Sequence, residues 1–168
     1  MAINIGDMRK PYRDKSDIFD MGDLTSKDPF DQFESWFQDA KNDGELDIST
    51  DMELPLVYGS GGIYHCIAGK SEEANAMCVA TATKSGVPSC RMVLLKSYGA
   101  PTPEDMRLDP DAKPGFVFFT NYDSRKGGEL DENPACAIMF YWESLKRSVR
   151  IEGTAQKTSQ AYSEAYFK

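Results

Sequence analysis

Histidine is nearly absent from this chain: His65 is the only one among 168 residues. A Ser-His-Asp hydrolase would hang on that side chain, which lies in a glycine-rich stretch with no nucleophile elbow, so it reads as an exposed loop residue. Cysteine is sparse and unpatterned. Cys66, Cys78, Cys90 and Cys136 show no C-x-x-C spacing, which argues against structural zinc, and no metal is expected. Cys78 and Cys136 fall inside apolar strand patterns and read as buried thiols. Long hydrophobic runs are missing too; a stretch such as Ala135–Trp142 is far too short to span a bilayer, so no membrane partner is expected. An excess of positive charge is also missing. The net charge is −8, and nucleic acid, which needs a cationic surface, is disfavoured as a partner. The N-terminus carries Asp7, Asp14 and Asp17 and no apolar targeting core, so a cytoplasmic protein is the expectation.

What is present fits one domain with a real core: 40% hydrophobic and 11% aromatic residues in a chain of single-domain length. The charge is uneven. Residues 1–60 hold 14 acids and 6 bases, whereas residues 61–168 hold 13 of each. Residues 1–27 are polar and aperiodic and read as a mobile N-terminal arm, leaving 28–168 as the folded domain. Asp28-Pro29 starts a helix with an aspartate cap and proline at the first position, and Phe30, Phe33, Trp36, Phe37 and Ala40 follow at helical spacing. Residues 42–73, rich in glycine, read as a long loop, and residues 98–114, with Pro101, Pro103, Pro110 and Pro114, as another. Strands are expected over Met77–Thr83, Ser89–Ser97, Gly115–Thr120, Ala135–Trp142 and Ser148–Gln156. Short helices are expected over Gly127–Glu132 and, capped by Thr158-Ser159, Gln160–Phe167. Close hairpin spacing points to an antiparallel barrel, mainly β with flanking helices (α+β).

The chemistry concentrates in two stretches. Arg91-Met92-Val93-Leu94-Leu95-Lys96 precedes Phe118-Phe119-Thr120-Asn121-Tyr122-Asp123-Ser124-Arg125-Lys126 by about thirty residues. In an extended strand Arg91, Val93 and Leu95 share one face, and Met92, Leu94 and Lys96 the other. One strand then offers cations to two neighbouring anions. Arg125-Lys126 stands just before Gly127-Gly128, where a helix opens and backbone amides favour phosphate. Spacing alone leaves two readings open: ordinary surface ion pairs, or a site for a planar ligand carrying a phosphate.

These two stretches resemble the flavin-binding core of the pyridoxine (pyridoxamine) 5′-phosphate oxidase family. The likeness also runs through Met8–Arg13, Asp28-Pro29-Phe30, Glu73–Met77, Glu129–Pro134, Phe140–Glu143, Val149–Gly153 and Tyr166-Phe167, interrupted by insertions at about 44–70 and 100–113. The resemblance implies a split β-barrel that forms a homodimer and binds flavin mononucleotide (FMN) at the subunit interface. It implies oxidation of pyridoxine 5′-phosphate or pyridoxamine 5′-phosphate to pyridoxal 5′-phosphate, with O2 reoxidising the flavin. By similarity, Arg91, Met92, Val93, Leu94, Phe119 and Thr120 would line the flavin, and Arg125 and Lys126 would hold its phosphate. Lys96 and Tyr166 would hold the substrate phosphate, and Arg9, Lys10, Pro11 and Tyr12 would close over the substrate. No general base stands out.

Two departures accompany the likeness. Ser148 stands where the family usually has a flavin-contacting glutamine. The family pattern also continues past Tyr166-Phe167 with more ligands and closing strands, so the barrel is expected to be incomplete at its C-terminus, with an exposed edge. Two other readings remain: a catalytically impaired paralogue or short isoform serving as an FMN/B6-phosphate-binding or partner subunit, and a different split-barrel flavin reductase.

Overall fold

A computed structural model of the chain describes residues 20–44 and 73–167. The Arg9–Tyr12 segment, His65, Cys66 and most of the first insertion lie outside the described residues.

The framework is a five-stranded antiparallel sheet, built from β1 (Ala76–Ala82), β2 (Pro88–Gly99), β3 (Gly115–Phe118), β4 (Ala135–Trp142) and β5 (Arg147–Thr154) in the order β3-β2-β1-β4-β5. With its helices it makes an α+β half-barrel, the incomplete split barrel expected from the sequence. The β1–β2 hairpin turns at Gly86, whose φ of 87° lies in the left-handed region where a side chain is strained. Val79 pairs with Arg91 on one side and Ile138 on the other, so β1 is central.

Strand alternation sorts the residues. Met77, Val79, Leu95, Ile138, Phe140 and Trp142 are buried on one face. Helix α1 (Pro29–Gly44) lies over them. Its start follows the Asp28 cap, whose Oδ1 accepts from Phe30 N at 2.8 Å. The expected apolar stripe is the one that packs: the Phe33 ring sits 4.9 Å from Tyr98, 5.0 Å from Phe116 and 5.1 Å from Phe140. Each fully buried side chain of this size stabilises the fold by about 1.5–3 kcal/mol. Buried Gln32 ties the preceding segment down, its Oε1 accepting from Thr25 N at 2.8 Å. The last residues of the expected arm therefore pack on α1, and Met21–Asp23 form a 3-10 turn capped by Asp20.

Several boundaries differ from expectation. The 98–114 stretch is not all loop: it contains α2 (Pro103–Leu108). Thr102 caps it, Asp105 reaches back to the cap, and Pro103 occupies a position that needs no N–H. β3 ends at Phe118, leaving Phe119 and Thr120 just beyond it. α3 (Arg125–Glu132) starts two residues early because Ser124 caps it, accepting from Gly127 N at 3.3 Å. Arg125 and Lys126 are thus in its first turn, not ahead of it. α4 (Gln160–Tyr166) starts at a Ser159 cap. Cys78 and Cys136 are half-buried, not fully enclosed; Cys78 belongs to the sheet face opposite the core, between exposed Met92 and Met139.

Candidate functional site

Two clusters gather the residues singled out in the sequence. The first sits under α3. Arg91 projects to the same face as Val93 and Leu95, and Glu129 descends onto it from α3. Arg91 Nη1 donates to Thr81 Oγ1 at 2.6 Å, and Nη2 donates to Ser89 Oγ at 2.5 Å. Both hydroxyls then donate to Glu129 Oε2, Thr81 at 2.5 Å and Ser89 at 2.6 Å. The direction is forced: arginine has only donors, so each hydroxyl must turn its single hydrogen to the carboxylate. Glu129 Oε1 takes Arg125 Nε at 2.8 Å. Hydrogen bonds from Ser89 and Thr81, with Arg125 adding to them, hold the Glu129 carboxyl down at about 2, against the opposing push of burial. One carboxylate therefore joins the cation of β2 to the cation opening α3.

Arg91 accordingly serves an internal anion. Arg125 keeps its far end outward, with a side chain 65% exposed. Lys126 Nζ lies 3.4 Å from Ser124 Oγ at the same helix start. Met92 is exposed, Val93 packs against the core, and Leu94 is half-buried on the outer face beside Ala76.

The second cluster is aromatic. The ring of Tyr166, on α4, stacks on Phe119 with centroids 3.8 Å apart and planes 13° from parallel. Lys96 Nζ sits 5.4 Å from the centroid of the Tyr166 ring. Lys96 is exposed at the end of β2 that carries the bulge between Leu95 and Ser97. Strand, post-strand loop and C-terminal helix thus bring Lys96, Phe119 and Tyr166 together from three distant parts of the sequence.

Thr120 follows Phe119, and its Oγ1 is buried with no hydrogen-bond partner. A buried hydroxyl without a partner is costly in a finished site and natural in one that receives a polar ligand. It lines a cleft of about 530 Å³ with Phe118, Tyr122, Gly127, Asp109 and Tyr162. The cleft lies beside the cations and not over them: Lys96 borders a separate recess of about 350 Å³ between α1 and β2. The unpaired Thr120 hydroxyl, the aromatic wall and the cationic start of α3 fit a flat ligand with a phosphate. Ser148 is exposed on β5, paired with Tyr141 on the sheet face away from the core.

Sequence reasoning missed Glu129 as a site residue. At four positions past Arg125 it resembles a routine helix-surface pair, and nothing local announces Thr81, Ser89 and Arg91 beneath it.

The antiparallel half-barrel with its flanking helices is that of a split FMN-binding barrel. A family model described as pyridoxamine 5′-phosphate oxidase matches residues 67–168, and the chain belongs to that family. Pyridoxine-5′-phosphate oxidase of Bos taurus is 41% identical over 166 residues, covering 99% of this chain and 49% of the relative. The pyridoxine/pyridoxamine 5′-phosphate oxidase of Bombyx mori is 40% identical over 167 residues, 99% of this chain and 50% of the relative. The chain therefore spans about half the length of these curated relatives. Among solved structures, PhzG from Burkholderia lata, in complex with tetrahydrophenazine-1-carboxylic acid, aligns with 55% of this chain and 40% of its own at 26% identity and a TM-score of 0.46. Among the described residues, no helix is long and apolar enough to cross a membrane.

Proposed function

We propose that this chain, with FMN bound, oxidises pyridoxine 5′-phosphate or pyridoxamine 5′-phosphate to pyridoxal 5′-phosphate, with O2 as the final electron acceptor. The observation that carries the reading is the convergence of Lys96, Tyr166 and Phe119 from three distant parts of the sequence. FMN, when bound, supplies the acceptor for the hydride that leaves the substrate's C4′ carbon. The protein's part is to hold and align. Arg125, Lys126 and the first amides of α3 grip the flavin phosphate, since amides at a helix start and a guanidinium fork both favour it. Thr120 gives its hydroxyl to the flavin, and the Arg91–Leu94 strand and Phe119 form the wall. Lys96 and Tyr166 hold the substrate phosphate, with Phe119 stacked beneath. Arg9, Lys10, Pro11 and Tyr12, outside the described residues, close over the substrate. Aligning two rings is enough to give a large rate gain, which is why no strong general base is needed.

Turnover is tested with the purified 168-residue chain, excess FMN and pyridoxine 5′-phosphate. Formation of pyridoxal 5′-phosphate above a no-enzyme control is the expected result. A folded, flavin-binding chain that forms none belongs instead to the binding or partner-subunit class. Arg125→Ala should weaken FMN about tenfold to a hundredfold in a fluorescence titration, the worth of one charge-assisted hydrogen bond. Unchanged affinity removes Arg125 from the site.

The same reading has the chain acting as a homodimer. Across β2, β1 and β4 the outer sheet face carries an apolar patch: Met92 is 65% exposed, Met139 45% and Tyr141 61%, with Cys78 between the two methionines in cross-strand register. A contiguous face of this kind suits a second copy. Met139→Asp should yield a monomer in light scattering where the parent chain gives a dimer; an unchanged mass rejects this face as the interface. A cytoplasmic setting accords with the free thiols Cys78, Cys90 and Cys136.

A further inference from the structure

Helix α4 has seven residues, too few to persist by helix propensity alone, yet it carries Tyr166. What seats it is the 98–114 stretch. Ser159 N donates to Asp109 Oδ2 at 2.8 Å, and Ser159 Oγ donates to Leu108 O at 2.6 Å. The same Oγ accepts from Tyr162 N at 3.1 Å, so one serine both starts α4 and fastens it to the end of α2. One turn further on, the Tyr162 hydroxyl engages Asp105 and Ser97. Asp105 is in turn fixed by the α2 cap, where Thr102 Oγ1 donates to it at 2.7 Å, and its carbonyl accepts from Asp109 N at 2.7 Å. Tyr162 and Tyr166, four apart, share one side of α4 and both stack against Phe119, at 6.1 and 3.8 Å.

We propose that Asp109 is a positioning residue: by accepting the Ser159 amide it ties α2 to α4 and holds Tyr166 on Phe119, next to Lys96. The 98–114 stretch is then a brace for the substrate-phosphate site and not a passive surface loop. The proposal rests on the reading of Lys96 and Tyr166 given above. A carboxylate suits the task because it accepts a backbone amide at a helix start more strongly than a neutral group does.

The test uses the full chain with FMN present, as parent, Asp109→Ala, Asp109→Asn and Tyr166→Phe. Amide hydrogen exchange is followed over residues 158–167, with titration of pyridoxal 5′-phosphate. Asp109→Ala should speed exchange in α4 about tenfold and weaken pyridoxal 5′-phosphate by a similar factor, the scale of one lost charge-assisted hydrogen bond. Asp109→Asn, which keeps a carbonyl acceptor, should recover part of both losses. Unchanged exchange in α4 overturns the proposal. Faster exchange with unchanged pyridoxal 5′-phosphate affinity overturns it as well. Tyr166→Phe then separates the two failures: an effect of that variant alone condemns only the tie, and no effect of either condemns the reading of the site.

Discussion

Gly127→Ala is expected to destabilise the protein by about 3 kcal/mol or more, whereas Gly128→Ala, one residue on, should stabilise it by up to about 1 kcal/mol. Both glycines lie inside α3, where alanine is ordinarily the better residue. The difference is what surrounds them. A Cβ at Gly127 would stand 2.2 Å from the Tyr122 carbonyl oxygen and 2.8 Å from its carbon, whereas a Cβ at Gly128 meets nothing within 4 Å. The obstructing atoms at Gly127 are backbone, so no rotamer change relieves the clash. Relief requires the 121–124 turn to move away from α3. That turn is itself tied, with Ser124 N donating to Asn121 O at 3.1 Å and Ser124 Oγ capping the helix. Because it also presents Arg125 and Lys126, Gly127→Ala should weaken FMN binding together with stability. Urea unfolding of the two variants side by side checks the contrast. A Gly127→Ala protein as stable as Gly128→Ala would mean that the close approach is not a constraint.

This contact shows what kind of information a sequence withholds. The start of α1 was legible because Asp28, Pro29 and the Phe33–Ala40 stripe are local signals that act within one helix. The shared face of Arg91, Val93 and Leu95 was legible because alternation is a local property of strands. α2 was legible in principle: Thr102, Pro103 and Asp105 are a capping box with proline at the first turn. The four prolines of the stretch mask it, although proline at a helix start is favourable. The Gly127–Tyr122 approach and the Lys96–Phe119–Tyr166 cluster were not legible from local pattern, because each depends on where distant segments pack. Tyr166 and the substrate-phosphate role of Lys96 came only through the family resemblance, and the structure makes Tyr166 the ring that meets both Lys96 and Phe119.

Glu129 is the extreme case of that non-local dependence, and its substitution should have the broadest effect. Its carboxylate receives groups from β1, β2 and α3: Thr81, Ser89, Arg91 and Arg125. In Glu129→Leu, Arg91 would keep its charge at a side chain only 22% exposed, with no counter-ion, and the Thr81 and Ser89 hydrogens would lose their acceptor. Glu129→Gln keeps the shape and fails more mildly. Its amide has one acceptor oxygen, so its NH2 must face either Arg125 or the two hydroxyls, all of which come as donors. Both variants should melt at lower temperature, leucine more so. The acid limb separates this account from a packing effect. The folded carboxyl titrates near 2 and the free one near 4.5, so the unfolded chain binds the proton first as pH falls. Glu129 therefore contributes its full stabilisation above about pH 4.5 and loses it progressively as pH drops toward 2. Wild-type stability should decline across that window, and Glu129→Gln, having nothing to titrate there, should decline less steeply. Parallel acid-unfolding curves for wild type and Glu129→Gln would sink the idea that this carboxylate, held ionised by its two hydroxyl donors, fastens α3 and its cations to the sheet.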